Sequence, residues 1–200
     1  MKLVKEILCC LLVFGLLALG AQSAMADALS DRTNALIKSA DAYAKQGNIV
    51  AALQQYDKAL SMRPGDLAIY YQRGLMFGRV GHYTSAINDF SLIIQREASS
   101  RRKRFPSARK YRAEGLVGLG QYQMAIEEYK AQLRQGSGAG NGKIWYYLAE
   151  TYALMHRNDL ALDAIKRGLA TGSHWSGKME NLRTKILTGQ KIVPHKPFSN

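Results

Sequence analysis

A small residue and an alanine lie 12 positions apart at four places in this chain of 200 residues: Ala40 with Ala52, Gly74 with Ala86, Ala113 with Ala125, and Ala149 with Ala161. Three residues after each first member stands Tyr43, Phe77, Leu116 or Tyr152, and four after each second stands Tyr56, Phe90, Tyr129 or Ile165. A pattern kept in register four times is the mark of a chain built by stacking one supersecondary unit. It restricts the fold to one in which each unit buries its apolar face against the next. The second alanines are separated by 34, 39 and 36 residues, so extra chain enters near Arg101 to Phe105 and again in the Gly136 to Gly142 stretch.

The pattern resembles the tetratricopeptide repeat (TPR), a helix-turn-helix unit of about 34 residues with the signature W-x2-L-G-x2-Y, then A-x3-F, then P. Trp145, Leu148, Ala149 and Tyr152, with Ala161 and Ile165, match the fourth copy best, and the first copy adds Ala59 and closes with Pro64. The resemblance implies an all-α fold, a right-handed α-α superhelix of about four helix pairs. The small residue lets helix A approach helix B, and the aromatic one turn later fills the seam to the next repeat. Helix pairs are expected at about 33 to 62, 67 to 97, 106 to 135 and 142 to 171, within repeats at 33–66, 67–100, 106–139 and 142–175. Gly47, Gly81 and Gly120 mark the turns inside the first three pairs, and His156 departs from that rule in the fourth. The third copy carries Arg109 and Arg112 where the pattern wants apolar residues, which predicts loose pairing with the second. Trp175, Met179, Leu182 and Ile186 recur at helical spacing and read as a capping helix over 175–188. Residues 189–200 read as a flexible tail.

Lys2 and Lys5 precede an apolar run from Ile7 to Ala21, followed by Ala24-Met25-Ala26 and Asp27. This is the form of a bacterial secretory signal peptide over residues 1–26, with cleavage after Ala26 preferred to a retained anchor because the run falls short of the roughly 20 residues that span a bilayer. Cys9 and Cys10, the two cysteines of the chain, lie within the run. The remaining TPR domain, 27–188, therefore contains no thiol for disulfide, zinc or nucleophilic chemistry, which suits a periplasmic or secreted protein.

Catalytic motifs are sparse. Gly142-Lys143 follows a glycine-rich stretch, but Gly136 and Gly138 miss the spacing of a phosphate-binding loop and Ile144 stands where Ser or Thr is required. Ser100-x-x-Lys103 and Ser107-x-x-Lys110 lack the companion motifs of serine acyl enzymes. His82, His156, His174 and His195 show no ligand spacing. Neither an enzyme, a metal site nor a cofactor is expected.

Binding is the better expectation. In the TPR resemblance the A helices line a concave face. Their inward positions are Ile37, Lys38 and Asp41; Tyr71, Gln72, Leu75 and Arg79; Lys110, Tyr111 and Glu114; Lys143, Tyr146, Tyr147 and Glu150. Of these, Tyr71, Leu75, Arg79, Lys110, Tyr111, Lys143, Tyr146 and Tyr147 form the expected partner groove, a set of rings and cations suited to an extended or helical peptide. Each of the tyrosines could equally pack between helices. Ile37 and Asp41 stand where chaperone-binding relatives carry a Lys and an Asn that clamp a terminal carboxylate, so that activity is not implied. The formal net charge of +13 gathers beyond residue 100, with a basic patch at Arg101, Arg102, Lys103, Arg104, Arg109 and Arg112 beside Lys110. The leading expectation is an exported scaffold that binds a protein or peptide partner in the groove, in assembly of an envelope complex. The alternative is a binder of anionic lipid or phosphate working through the basic patch; export argues against nucleic acid.

Overall fold

The computed structural model describes residues 2–135 and 141–198. Among these all the regular structure is helical, with nine α-helices and no strand. It divides into two compact units, residues 1–69 and 70–200.

In the first unit, α1 (Lys2–Lys45) turns at Gly47 into α2 (Ile49–Met62). Gly47 holds φ +78°, a left-handed conformation that costs a glycine nothing. The Asn48 side chain caps α2 by accepting the Ala51 N–H at 3.2 Å, satisfying one of the orphan donors of the first turn. Ala40, Ala52 and Ala59 are wholly buried, as the small-residue register requires. Tyr56 donates its hydroxyl to Asp41 Oδ1 at 2.5 Å, and Arg63 ties the end of α2 to Ser30 O at 2.9 Å and Asn34 Oδ1 at 3.1 Å on α1. α1 is one helix from well upstream of the expected start near residue 33; among its described side chains Thr33 is the first that is buried, and Met25 and Leu29 are exposed.

The second unit holds α3 (Leu67–Arg79, from Tyr70 onward), α4 (Tyr83–Arg96), α5 (Ala108–Gly118), α6 (Tyr122–Gln135), α7 (Gly142–Leu154), α8 (Asn158–Leu169) and α9 (Ser176–Leu187). α4 lies close against Gly74 of α3: a methyl there would lie 3.0 Å from the Phe90 ring and 3.2 Å from Asp89 Cβ. Arg73 grips Asp89 with two bonds, of 3.0 and 2.7 Å, across the same pair. Gly81 and Gly120 repeat the positive φ of Gly47, and His156 adopts it too, at +57°, although a Cβ makes that region costly. α9 closes the apolar end of α7 and α8 with Met179, Leu182 and Ile186, all buried.

The third pair is not loosely attached. α5 packs against both α4 and α6. Gly115 and Gly118 let Ile87 and the Tyr83 ring approach to within 2.9 and 2.6 Å of where a Cβ would stand. Arg109 and Arg112, the residues that weaken the repeat signature, both pair with Glu128 of α6, Arg109 at 3.2 Å, and Arg112 also donates to Ser91 Oγ of α4 at 3.2 Å. The extra chain before α5 is organised by Glu97, whose carboxylate accepts the Arg104 and Phe105 N–H groups at 2.9 and 3.3 Å. The second expected insertion lies largely outside the described residues.

Candidate peptide-binding groove

α3, α5 and α7 are the A helices of the second unit, and one non-helical segment crosses all three. It is the chain's own continuation after α9, where a flexible tail was expected. Ile192 packs against the core formed by α5 to α9, His195 sits on α7, and Phe198, only 5% exposed, sits between α3 and α5. In this placement the segment meets both ring surfaces and buried acceptors of the groove.

At α7, the His195 imidazole lies flat on Tyr147, with centroids 4.0 Å apart and planes 11° from parallel. Its backbone N–H donates to Glu150 Oε2 at 3.2 Å, and Nδ1 contacts the same oxygen. Tyr146 donates its hydroxyl to Glu150 Oε1 at 3.0 Å. Tyr146, Tyr147 and Trp175 form one ring cluster. Lys143, Tyr146, Tyr147, Trp175, Lys178 and His195 are among the residues that line a recess of about 430 Å³ beside it. Burial pushes the Tyr147 and Tyr146 phenols well above the ordinary tyrosine range, helped by the charge of Glu114 for the first and of Glu150 for both. Burial and the neighbouring Lys110 charge push the Lys143 ammonium down.

At α5, the Phe198 N–H donates to Glu114 Oε2 at 2.7 Å. Glu114 is 1% exposed and is paired on its other oxygen with Lys110, 3.2 Å away; the Lys110 ammonium also lies 3.5 Å from the centre of the Tyr111 ring. The Phe198 ring runs nearly parallel to Tyr83, Phe90 and Tyr111, at centroid distances of 6.3, 6.1 and 6.0 Å. On α3 it rests against Gly78, where any Cβ would fall 2.3 Å from its Cγ. Tyr71 extends this ring cluster through Phe90 and Tyr111 and stacks on Phe105 at 5.1 Å.

Of the eight expected groove residues, six fall along this track: Tyr71, Lys110, Tyr111, Lys143, Tyr146 and Tyr147. Leu75 is half-buried, and Arg79 is exposed at the last residue of α3. Lys110 does not add to a positive surface, because it is buried against Glu114. The groove instead presents two carboxylates to backbone N–H groups, and charge-assisted bonds of this kind are stronger than neutral ones. Glu114 and Glu150 are inward positions in the repeat register, each following the small residue of helix A, as Asp41 does in the first pair. That recurrence was a usable signal. Gly78, Tyr83 and Phe198 left none, since their meeting joins segments far apart in sequence. The basic patch is divided: Arg101, Arg102 and Arg104 are exposed, whereas Lys103 donates to the Glu97 and Ala98 carbonyls and Arg109 and Arg112 are held by Glu128.

Helix pairs in a fixed register, turned at tight left-handed residues and facing a bound segment with their A helices, define an α-α repeat fold of the TPR class. The family model described as TPR repeat matches residues 40–81. The chain is 28% identical over 133 residues to the tetratricopeptide repeat and J domain-containing co-chaperone DNJ1 of Cryptococcus neoformans var. grubii; the match takes in 66% of this chain and about a quarter, 24%, of that protein. Among solved structures it resembles the MamA protein, with a TM-score of 0.64 at 16% identity over 80% of this chain and 88% of that one. It also resembles residues 41 to the end of MamA from Desulfovibrio magneticus RS-1, with a TM-score of 0.63 at 16% identity over 70% and 75% of the two chains. At such identities the likeness establishes the fold.

Proposed function

We propose that this protein is an exported TPR scaffold that holds a protein or peptide partner in the groove across α3, α5 and α7 during assembly of an envelope complex, and performs no covalent chemistry. The observation that carries this reading is the groove's occupancy: a peptide segment with no regular structure already lies there, bound through its N–H groups and rings. An extended chain held by backbone hydrogen bonds with side chains in pockets is a recurring mode of peptide recognition. Export rests on the amino-terminal charge and apolar run, with cleavage after Ala26 and a periplasmic or external destination. In support, Met25 and Leu29 are exposed, and the described bonds that tie the end of α2 to α1 fall on Ser30, Thr33 and Asn34, beyond the expected cleavage point.

The decisive experiment is cross-linking in the periplasm. Replacing Tyr71, Tyr111 and Tyr147 by Ala abolishes capture of the partner, whereas neutralising Arg101, Arg102 and Arg104 leaves it intact. The opposite result would return the function to the basic patch, as would capture that weakens steeply between low and physiological ionic strength. Exposure of those three arginines favours that second reading; the internal bonds of Lys103, Arg109 and Arg112 count against it. Mass measurement of the exported protein tests the leader, with Asp27 expected as the first residue.

A further inference from the structure

The groove's own occupant specifies what it recognises. Glu114 and Glu150 are both almost fully buried, and a buried carboxylate is tolerated only when donors surround it. Glu114 accepts the Phe198 N–H on Oε2 and has the Lys110 ammonium as an ion-pair partner 3.2 Å from Oε1, an oxygen that has no hydrogen-bond donor among the described residues. Glu150 has the Tyr146 hydroxyl and His195. Without residues 195–198 each glutamate loses a charge-assisted partner, and the ring faces of Tyr111 and Tyr147 lose their cover. Tyr129, at the same floor, keeps its hydroxyl buried without a hydrogen-bond partner among the described residues, as does His195 Nε2. The slot between Gly78, Phe90 and Tyr111 has the dimensions of a flat ring because Gly78 lacks a side chain.

We propose that residues 195–198 are a built-in ligand of the groove, and that the external partner is a non-helical peptide segment of the same pattern: an imidazole or aromatic side chain, two intervening residues, then an aromatic side chain. Such a segment places its two rings on Tyr147 and in the Gly78 slot and its two N–H groups on Glu150 and Glu114. The native chain is then self-occluded, and a partner must displace its own tail. This rests on the groove being the partner site and adds to it the sequence pattern and the competition.

The test uses full-length chains and, as probe, a fluorescently labelled peptide with the sequence of residues 190–198. Phe198→Ala empties the ring slot. It should bind the probe at least tenfold more tightly than the native chain does. The same peptide with alanine in place of its phenylalanine should not bind, and adding Gly78→Ala to Phe198→Ala should abolish binding by filling the slot. Circular dichroism of each variant establishes that the helices persist. In the native chain, hydrogen exchange should show the Phe198 and His195 amides protected. Equal probe binding by native and Phe198→Ala chains, or none by the latter, overturns the proposal, and so does an unprotected Phe198 amide. If partner capture still depends on Tyr111 and Tyr147 while the Phe198→Ala chain ignores the probe, the groove stands as the partner site and the built-in ligand falls. If the probe binds as described while capture is indifferent to those tyrosines, the internal ligand stands and the partner binds elsewhere.

Discussion

The backbone N–H of Phe198 donates to Glu114 Oε2 at 2.7 Å across 84 positions of chain. Glu114 thereby joins three things: the tail, the Lys110 ammonium 3.2 Å away, and the seam of α5. Replacing it with alanine strands a lysine whose side chain is 10% exposed and frees the tail. Breaking a buried pair by removing one partner costs about 3 to 5 kcal/mol. Glu114→Ala is therefore expected to lower the urea midpoint sharply and to remove exchange protection at Phe198. Retained protection at that amide would show that ring packing alone holds the tail.

Tyr129 is fully buried between α5, α6 and α7, with a hydroxyl that has no hydrogen-bond partner among the described residues. Removing a buried, unsatisfied polar atom while keeping the ring is neutral or stabilising, by about 1 kcal/mol. Tyr129→Phe should raise the melting temperature or leave it unchanged. A clear loss would mean that the hydroxyl is satisfied by bound water.

His156 turns the chain between α7 and α8 at φ +57°, where the three other pairs use glycine at +71° to +82°. The left-handed region costs a residue with a Cβ about 1 kcal/mol. Part of that gain on substitution is offset by the greater entropy of an unfolded glycine. His156→Gly should stabilise the protein by about 0.5 kcal/mol in denaturant titrations, without affecting partner capture.

Glu128 holds Arg109 and Arg112 together. Its loss leaves two partly buried guanidinium groups facing each other at the junction of α4, α5 and α6. Hydrogen bonds to charged groups contribute about 1.5 to 3 kcal/mol, and Glu128→Ala should cost an amount in that range. Glu128→Gln, which keeps a single acceptor oxygen and so serves one of the two arginines, should cost less than the alanine.

Alkaline pH should unfold the second unit. Burial raises the phenols of Tyr129 and Tyr147 above their ordinary value, with the Glu114 charge adding to both. Above pH about 10 an unfolded tyrosine releases its proton while the folded one keeps it, so the native state binds more protons. Stability is therefore fully present below that pH and falls as pH rises past it. Tyrosinate absorbance should appear in two stages, the exposed rings first and the buried ones together with the loss of helix.

Much of the architecture was legible because helix packing is periodic. The register of Ala40, Gly74, Ala113 and Ala149 against alanines 12 positions later records a contact made again in every repeat, so one chain contains several copies of the same message. Met179, Leu182 and Ile186 announced the capping helix in the same way. The groove was legible in outline, since Tyr111, Lys143, Tyr146 and Tyr147 occupy the inward positions that the register assigns. Its polarity was legible only in part: Glu114 and Glu150 recur after the small residue of helix A, but nothing in the sequence says that Lys110 is buried against Glu114.

The repeat pitch, the helix pairs and the inward faces thus follow from the sequence alone, because each depends on contacts between residues a fixed short distance apart. The destination of the tail and the division of the basic patch were decided only in three dimensions. Phe198 meeting Gly78, Tyr83 and Glu114, and Arg109 meeting Arg112 on Glu128, are single long-range events with no period. Their free energy comes from burying rings and pairing charges that the chain brings together once it has folded.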